Sequence, residues 1–166
     1  MKILTVLLSI LLPGAGLADA HSPVTPGEGA FTTLVVQAND IDAYLKVVKA
    51  NPGIPEANGA LAAGYCVTRS GNDYPGQMFI WSAYNNVSEA MAAATKYDPY
   101  AASEEFSSLR QVKYTAIFKP INQFKLDPGF ERLWRVVVPA DNLNAFVQGV
   151  VKIEASLRKR GYRTVL

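Results

Sequence analysis

The sequence predicts an α+β fold in which one β-α-β-β-α-β unit is followed by the opening of a second. Three observations predict it. Between residues 31 and 120 the apolar period alternates between two and 3.6 in a regular order. Within the runs of period two, both alternating sets of side chains are apolar. Finally, LVVQANDIDAYLKVVKA from Leu34 and VVVPADNLNAFVQGVVK from Val136 share one pattern 102 positions apart.

Residues 1–20 have the make-up of a secretory signal: Lys2, an apolar run from Ile3 to Leu12, the break Pro13-Gly14, and the small residues Ala18-Asp19-Ala20 ahead of a cleavage site. The run is too short for a stable membrane anchor. Cleavage after Ala20 would deliver the mature chain to the periplasm or the medium. Residues 21–30, rich in Pro and Gly, read as a flexible leader.

Phe31–Gln37 is a β-branched, apolar strand. Asp40 can cap a helix that places Ile41, Tyr44, Leu45 and Val48 on one stripe. Asn51–Pro55 stops it, Glu56–Ala63 is a short helix or loop, and Gly64–Ser70 is a second strand. The turn formers SGNDYPG then lead into QMFIWSAY, Gln77–Tyr84, so the two strands form a hairpin. Asn86 and Glu89 make a capping box for VSEAMAAATKY, a helix packing through Val87, Ala90, Met91 and Ala94. A short helical piece with Phe106 and Leu109 precedes the strand Gln111–Lys119. This order is the ferredoxin-like split βαβ arrangement, with both helices on one sheet face. On the sheet, Thr33, Val35, Phe79, Trp81, Tyr114 and Phe118 alternate with Leu34, Val36, Met78, Ile80, Thr115 and Ile117. Neither set suits water, so the face without helices needs a cover of its own.

After a linker, residues 121–132, the pattern restarts with the strand Leu133–Val138, Asn142 as cap, and a stripe of Leu143, Phe146, Val147 and Val150. GYRTVL at the end echoes GYCVTR at Gly64, so residues 133–166 form an incomplete second repeat. Two explanations compete. The chain is a fragment of a tandem protein, which the strand-like ending favours, or its half-unit is covered by another subunit.

Composition excludes several classes. The 16 Lys and Arg against 14 Asp and Glu offer no general attraction for nucleic acid or acidic membranes. Arg158-Lys159-Arg160 falls in a last helical turn, where cations complement the helix dipole. One Cys, Cys66, rules out a disulfide within the chain, and one His, His21, rules out hydrolytic triads and defined imidazole metal sites. Glu104-Glu105 faces solvent, and Tyr84-Asn85-Asn86 reads as a helix cap.

The element order, the apolar sheet faces and FIWSAYNNVSEAMAAA, an aromatic strand followed by a capped helix of small residues, resemble the dimeric α/β barrel superfamily and within it the antibiotic biosynthesis monooxygenase-like domains. The resemblance spans residues 31–120 as a complete unit and 133–166 as part of another. It implies a homodimer, or sheet-to-sheet packing with the second repeat, and either oxidation of quinol-like aromatic compounds without metal or flavin, or a non-catalytic ligand-binding or assembly module. Some relatives bind haem through a His on the second helix; AMAAATKYDPY has none.

No catalytic residue is identified. For substrate binding, an even hairpin register would bring Tyr65 near Trp81 and Arg69 near Gln77, giving a pocket of Tyr65, Arg69, Phe79 and Trp81 for a flat, partly polar aromatic molecule. The competing reading makes Tyr65, Phe79 and Trp81 core and sends Arg69 into water. Cys66 is expected to be a buried, inert thiol.

Overall fold

Runs of period two form strands and runs of period 3.6 form helices in a computed structural model, which describes residues 3–12, 29–121 and 128–162. The chain is α+β and divides into two units, His21–Gln123 and Met1–Ala20 with Phe124–Leu166. In chain order the elements are β1 (Ile3–Leu12), β2 (Ala30–Ala38), α1 (Ile41–Ala50), α2 (Gly53–Ala57), β3 (Ala62–Val67), β4 (Gln77–Tyr84) and α3 (Val87–Lys96), then α4 (Glu104–Leu109), β5 (Arg110–Phe118), β6 (Phe130–Pro139) and α5 (Leu143–Lys159). Among the described residues no helix is long and apolar enough to cross a membrane.

In the first unit, β3-β4-β2-β5 form an antiparallel sheet. The two main helices start where the sequence places their caps. The Asp40 carboxylate accepts from the Ala43 amide at 2.9 Å, and the Asn86 side chain accepts from the Glu89 amide at 2.9 Å. Glu89 in turn accepts from the Asn86 and Asn85 side-chain amides and from the Asn85 backbone amide, a variant of the expected capping box in which the cap's own backbone amide is not the donor. Both helices cover the face that carries Leu34, Val36, Met78 and Ile80. One core cluster joins Val36, Ala38, Met78 and Tyr44 with the α1 stripe; another joins Ala30 and Tyr84 with Ala90 and Ala93. The α3 stripe differs from expectation. Ala90 and Ala93 are the buried pair, while Val87 is exposed and Met91 is 56% exposed. Alanines facing the sheet let the helix backbone approach closely, and the larger side chains rotate outward.

The pairing of β2 with β5 shifts between Val35, opposite Tyr114, and Val36, opposite Val112. Lys113 is the extra residue, a β-bulge that reverses the facing of every β5 residue before it. On the other side of β2, the turn into β4 is pinned where the Ala38 amide donates to the Gly76 carbonyl at 2.8 Å. Gly76 has φ +73°, and a Cβ there would strike the Ala38 carbonyl.

In the second unit, β1 pairs antiparallel with β6, from Ile3 opposite Pro139 to Leu12 opposite Phe130. The segment with signal-like composition is thus a strand here; its Ala18–Ala20 site lies outside the described residues. The sheltered positions at the start of α5 are Leu143, Phe146, Val147 and Val150, the stripe read from the sequence. Asn142 makes no capping bond, contrary to expectation, because it already has helical backbone angles (φ −98°, ψ −3°) at the end of a 3₁₀ turn, Ala140–Asn142. In the last turns Arg158 pairs with Glu154 at 2.6 Å. The final strand-like stretch falls on residues 163–166, outside the described residues, as do most of the leader and half of the linker.

Replacing Gly76 by Ala should destabilise the first unit by roughly 2–4 kcal/mol, through left-handed backbone strain added to overpacking against Ala38. Urea denaturation followed by circular dichroism measures it, and an unchanged midpoint would mean that the turn is not anchored at this contact.

Candidate functional site

The face of the first sheet away from its helices is built by strand parity. Phe31, Thr33 and Val35 of β2 stand across from Ala83, Trp81 and Phe79 of β4, and from Phe118, Ala116 and Tyr114 of β5. Gly64 and Cys66 of β3 stand across from Trp81 and Phe79. Trp81 is the centre of this surface. A Cβ built at Gly64 would overlap its indole, so the glycine supplies the flat floor on which the ring lies. Phe31 meets it edge to face, with ring centroids 6.1 Å apart at 70°, a favoured aromatic geometry. Phe79, Trp81 and Cys66 are half-buried, and Tyr114 is 40% exposed. This arrangement can stack a planar apolar molecule, and it carries few groups able to fix a charge.

Only part of the expected pocket comes together. Phe79 and Trp81 share this face. Tyr65 does not, because the hairpin register sets it opposite Ile80 rather than Trp81. The helix-facing side therefore holds Tyr65, at the sheet edge, with Lys49 Nζ 5.5 Å from its ring centre. Arg69 lies beyond the end of β3 and is exposed. The physical reason is the fit of Trp81 to Gly64, which an even register would have given up. Among the described residues no group of three or more His, Cys, Asp or Glu is gathered as metal binding requires.

A second polar centre lies on the helix side, at a residue the sequence reading passed over. Arg110, 6% exposed, stands opposite Ala38, facing inward because of the bulge at Lys113. Its Nη1 donates to the Tyr44 hydroxyl at 2.6 Å, and its Nη2 donates to the Tyr97 hydroxyl at 3.0 Å and the Pro99 carbonyl at 3.4 Å. The guanidinium also lies 5.2 Å from the Phe106 ring centre and 5.6 Å from that of Tyr44. Among the described residues its Nε has no partner. Burial works against the charge on Arg110, yet the bonds to Tyr97 and Tyr44 outweigh it and raise its pKa, so it stays cationic. Burial likewise raises the Tyr44 pKa by more than the bond from Arg110 lowers it.

No protein-family model and no curated protein matches the chain. It is similar to a solved structure described as structural-genomics protein YJCS, with 10% sequence identity and a TM-score of 0.33, over 55% of this chain and 97% of that one.

Tyr44→Phe should leave Arg110 Nη1 without its acceptor and cost about 1–3 kcal/mol near neutral pH. The wild type should show a further effect in alkali. Because the folded state holds the phenol neutral, the contribution of Tyr44 is complete below its ordinary pKa of 10.0 and is lost as pH rises through the raised folded value. Urea midpoints measured across that range should fall less steeply in Tyr44→Phe; parallel curves would show that Tyr44 is not the titrating group.

Proposed function

We propose that the chain is an exported α+β protein whose first unit, ferredoxin-like and of the dimeric α/β barrel kind, binds a flat aromatic compound on the sheet face centred on Trp81. The observation that carries this reading is the seat of Trp81 on Gly64 with Phe31 at its edge: a planar, half-sheltered ring surface held in place by the register of three strands. The strand order β3-β4-β2-β5 supports the ferredoxin-like assignment, since the first strand of the unit lies inside the sheet between its third and fourth. The apolar run ahead of Pro13 supports export, and cleavage after Ala20 would remove the strand that pairs with β6.

Phe79 and Trp81 stay in the proposed site, Cys66 and Tyr114 join it, and Tyr65 and Arg69 leave it. A ligand on this surface is held by stacking and burial of apolar area, with few polar anchors, so shape and planarity select it more than charge. Quinol-like compounds fit this description. If the site turns them over, the chemistry is cofactor-free oxygenation: the quinol, its ring proton released to solvent, is oxidised by O2, one oxygen atom entering the ring to give a hydroxyquinone and the other leaving as water, while the protein contributes binding.

Methylhydroquinone titrated calorimetrically, with oxygen uptake followed in parallel, tests the proposal. Trp81→Ala should weaken binding about tenfold, near 1.4 kcal/mol, whereas Arg69→Ala should leave it unchanged. Tryptophan quenching should persist in Trp134→Phe and vanish in Trp81→Phe. Oxygen uptake above the protein-free rate, with isotopically labelled O2 appearing in a hydroxyquinone product, would assign an oxygenase, and binding without it a carrier. Equal affinity in wild type and Trp81→Ala would remove the site.

A further inference from the structure

On the opposite, helix side of the sheet, a cavity of about 470 Å³ opens where α3 ends, lined among others by Ile54, Lys96, Tyr97, Asp98, Ser103 and Phe106. Two of these residues touch the buried guanidinium: Tyr97 accepts its hydrogen bond and Phe106 offers its ring face. Arg110 thus stands directly behind the cavity wall. We infer that this cavity is a binding site for a small monocarboxylate with an apolar body, recognised by the Tyr97 hydroxyl and Lys96.

The argument is one of charge and hydrogen-bond capacity. Arg110 is buried, and its partners are two phenols, one backbone carbonyl and two ring faces, with no carboxylate among them. A buried cation without an anion is costly, and its Nε remains unpartnered. At the cavity wall Lys96 and Asp98 offset each other in charge, and one Asp98 oxygen is already engaged by the Tyr100 amide at 2.9 Å. Among the described residues the Arg110 charge therefore has hydrogen-bond acceptors but no carboxylate partner. A tyrosine hydroxyl that accepts from a guanidinium keeps its own hydrogen to donate, and the neighbouring cation strengthens that donation. Tyr97 can thus present the Arg110 charge to an anion that never meets Arg110 itself. Ile54 and Phe106 make the apolar part of the wall, and the volume lies within the range of small-molecule sites. Phosphates suit the cavity less well, because a second negative charge would have only Lys96 to meet it, beside Asp98.

Benzoate is the probe, with benzamide as its neutral isostere, each titrated into the ¹⁵N-labelled full chain and followed by amide shifts. Saturable benzoate shifts at Tyr97, Asp98 and Ser103, with benzamide at least tenfold weaker, are the expected result. Tyr97→Phe and Lys96→Met should each weaken benzoate binding about tenfold, the loss of one charge-assisted contact. Lys96 is exposed, so its variant carries the test even where Tyr97→Phe disturbs packing around Arg110. Equal affinity for benzamide, wild-type affinity in Lys96→Met, shifts confined to β4 around Trp81, or no saturable shift would each overturn the inference. The shifts around Trp81 would instead place benzoate on the aromatic face, which keeps the two sites distinguishable.

Discussion

A four-stranded antiparallel sheet whose two alternating side-chain sets are both apolar constrains the first unit. Strand geometry sends successive side chains to opposite faces, so the sheet cannot hide Leu34, Val36, Met78 and Ile80 without presenting Thr33, Val35, Phe79 and Trp81 on the other side. The helices α1 and α3 shelter the first set through Tyr44, Ala90 and Ala93. The second set is left to organise itself across strands. It does so with aromatics: Trp81 over Gly64, Phe31 against the Trp81 edge, and Val35, 1% exposed, standing between Phe79 and Tyr114. The surface proposed to take a ligand is the same surface that the alternation makes unavoidable.

The bulge at Lys113 connects this sheet to the polar centre beneath the helices. Counting by twos back from Tyr114 puts Arg110 on the aromatic face; one extra residue turns it inward, opposite Ala38. The cost of burying a cation there is offset in part by Tyr44 from α1, by Tyr97 and the Pro99 carbonyl after α3, and by the ring of Phe106 from α4, all of them neutral groups. One side chain therefore ties β5 to segments that the sequence separates by as many as 66 positions. The same bonds that hold the guanidinium also fix the tyrosines, which is how a structural contact and a proposed recognition element come to share atoms.

Much of this was legible in the sequence because local rules govern it. The caps at Asp40 and Asn86, the α1 stripe and the assignment of strand residues to two faces depend on neighbours a few positions away. The candidate site was half legible, and its failures share a cause. Whether Tyr65 meets Trp81 or Ile80 depends on how Thr68 to Gly76 closes, and a loop of that length permits either parity. The choice is made by the indole resting on Gly64, a contact between strands. Arg110 escaped notice because a bulge leaves no trace in apolar alternation when the residues on both sides of it, Val112 and Tyr114, are themselves apolar. On α3, Val87 and Met91 look like the packing residues by hydrophobicity, yet close helix-to-sheet approach selects alanine.

The repeated segment separates what local pattern decides from what long-range pairing decides. At the offset of 102, Val36 corresponds to Val138 and both are buried; Val35 corresponds to Val137, and these are 1% and 59% exposed. The sequence pattern is nearly the same, and in both places it yields a strand followed by a helix. The difference lies in the neighbours. Among the described residues β2 is flanked on both sides, by β4 and β5, whereas β6 pairs with β1 alone. Tyr44 and Phe146 diverge in the same way, the first fully buried against Met78 and Val36, the second half-exposed. Period and capping residues specify an element; the strands recruited from elsewhere in the chain determine whether its apolar side becomes core. The aromatic surface at Trp81 depends on such recruitment, since β2, β3, β4 and β5 each place residues on it.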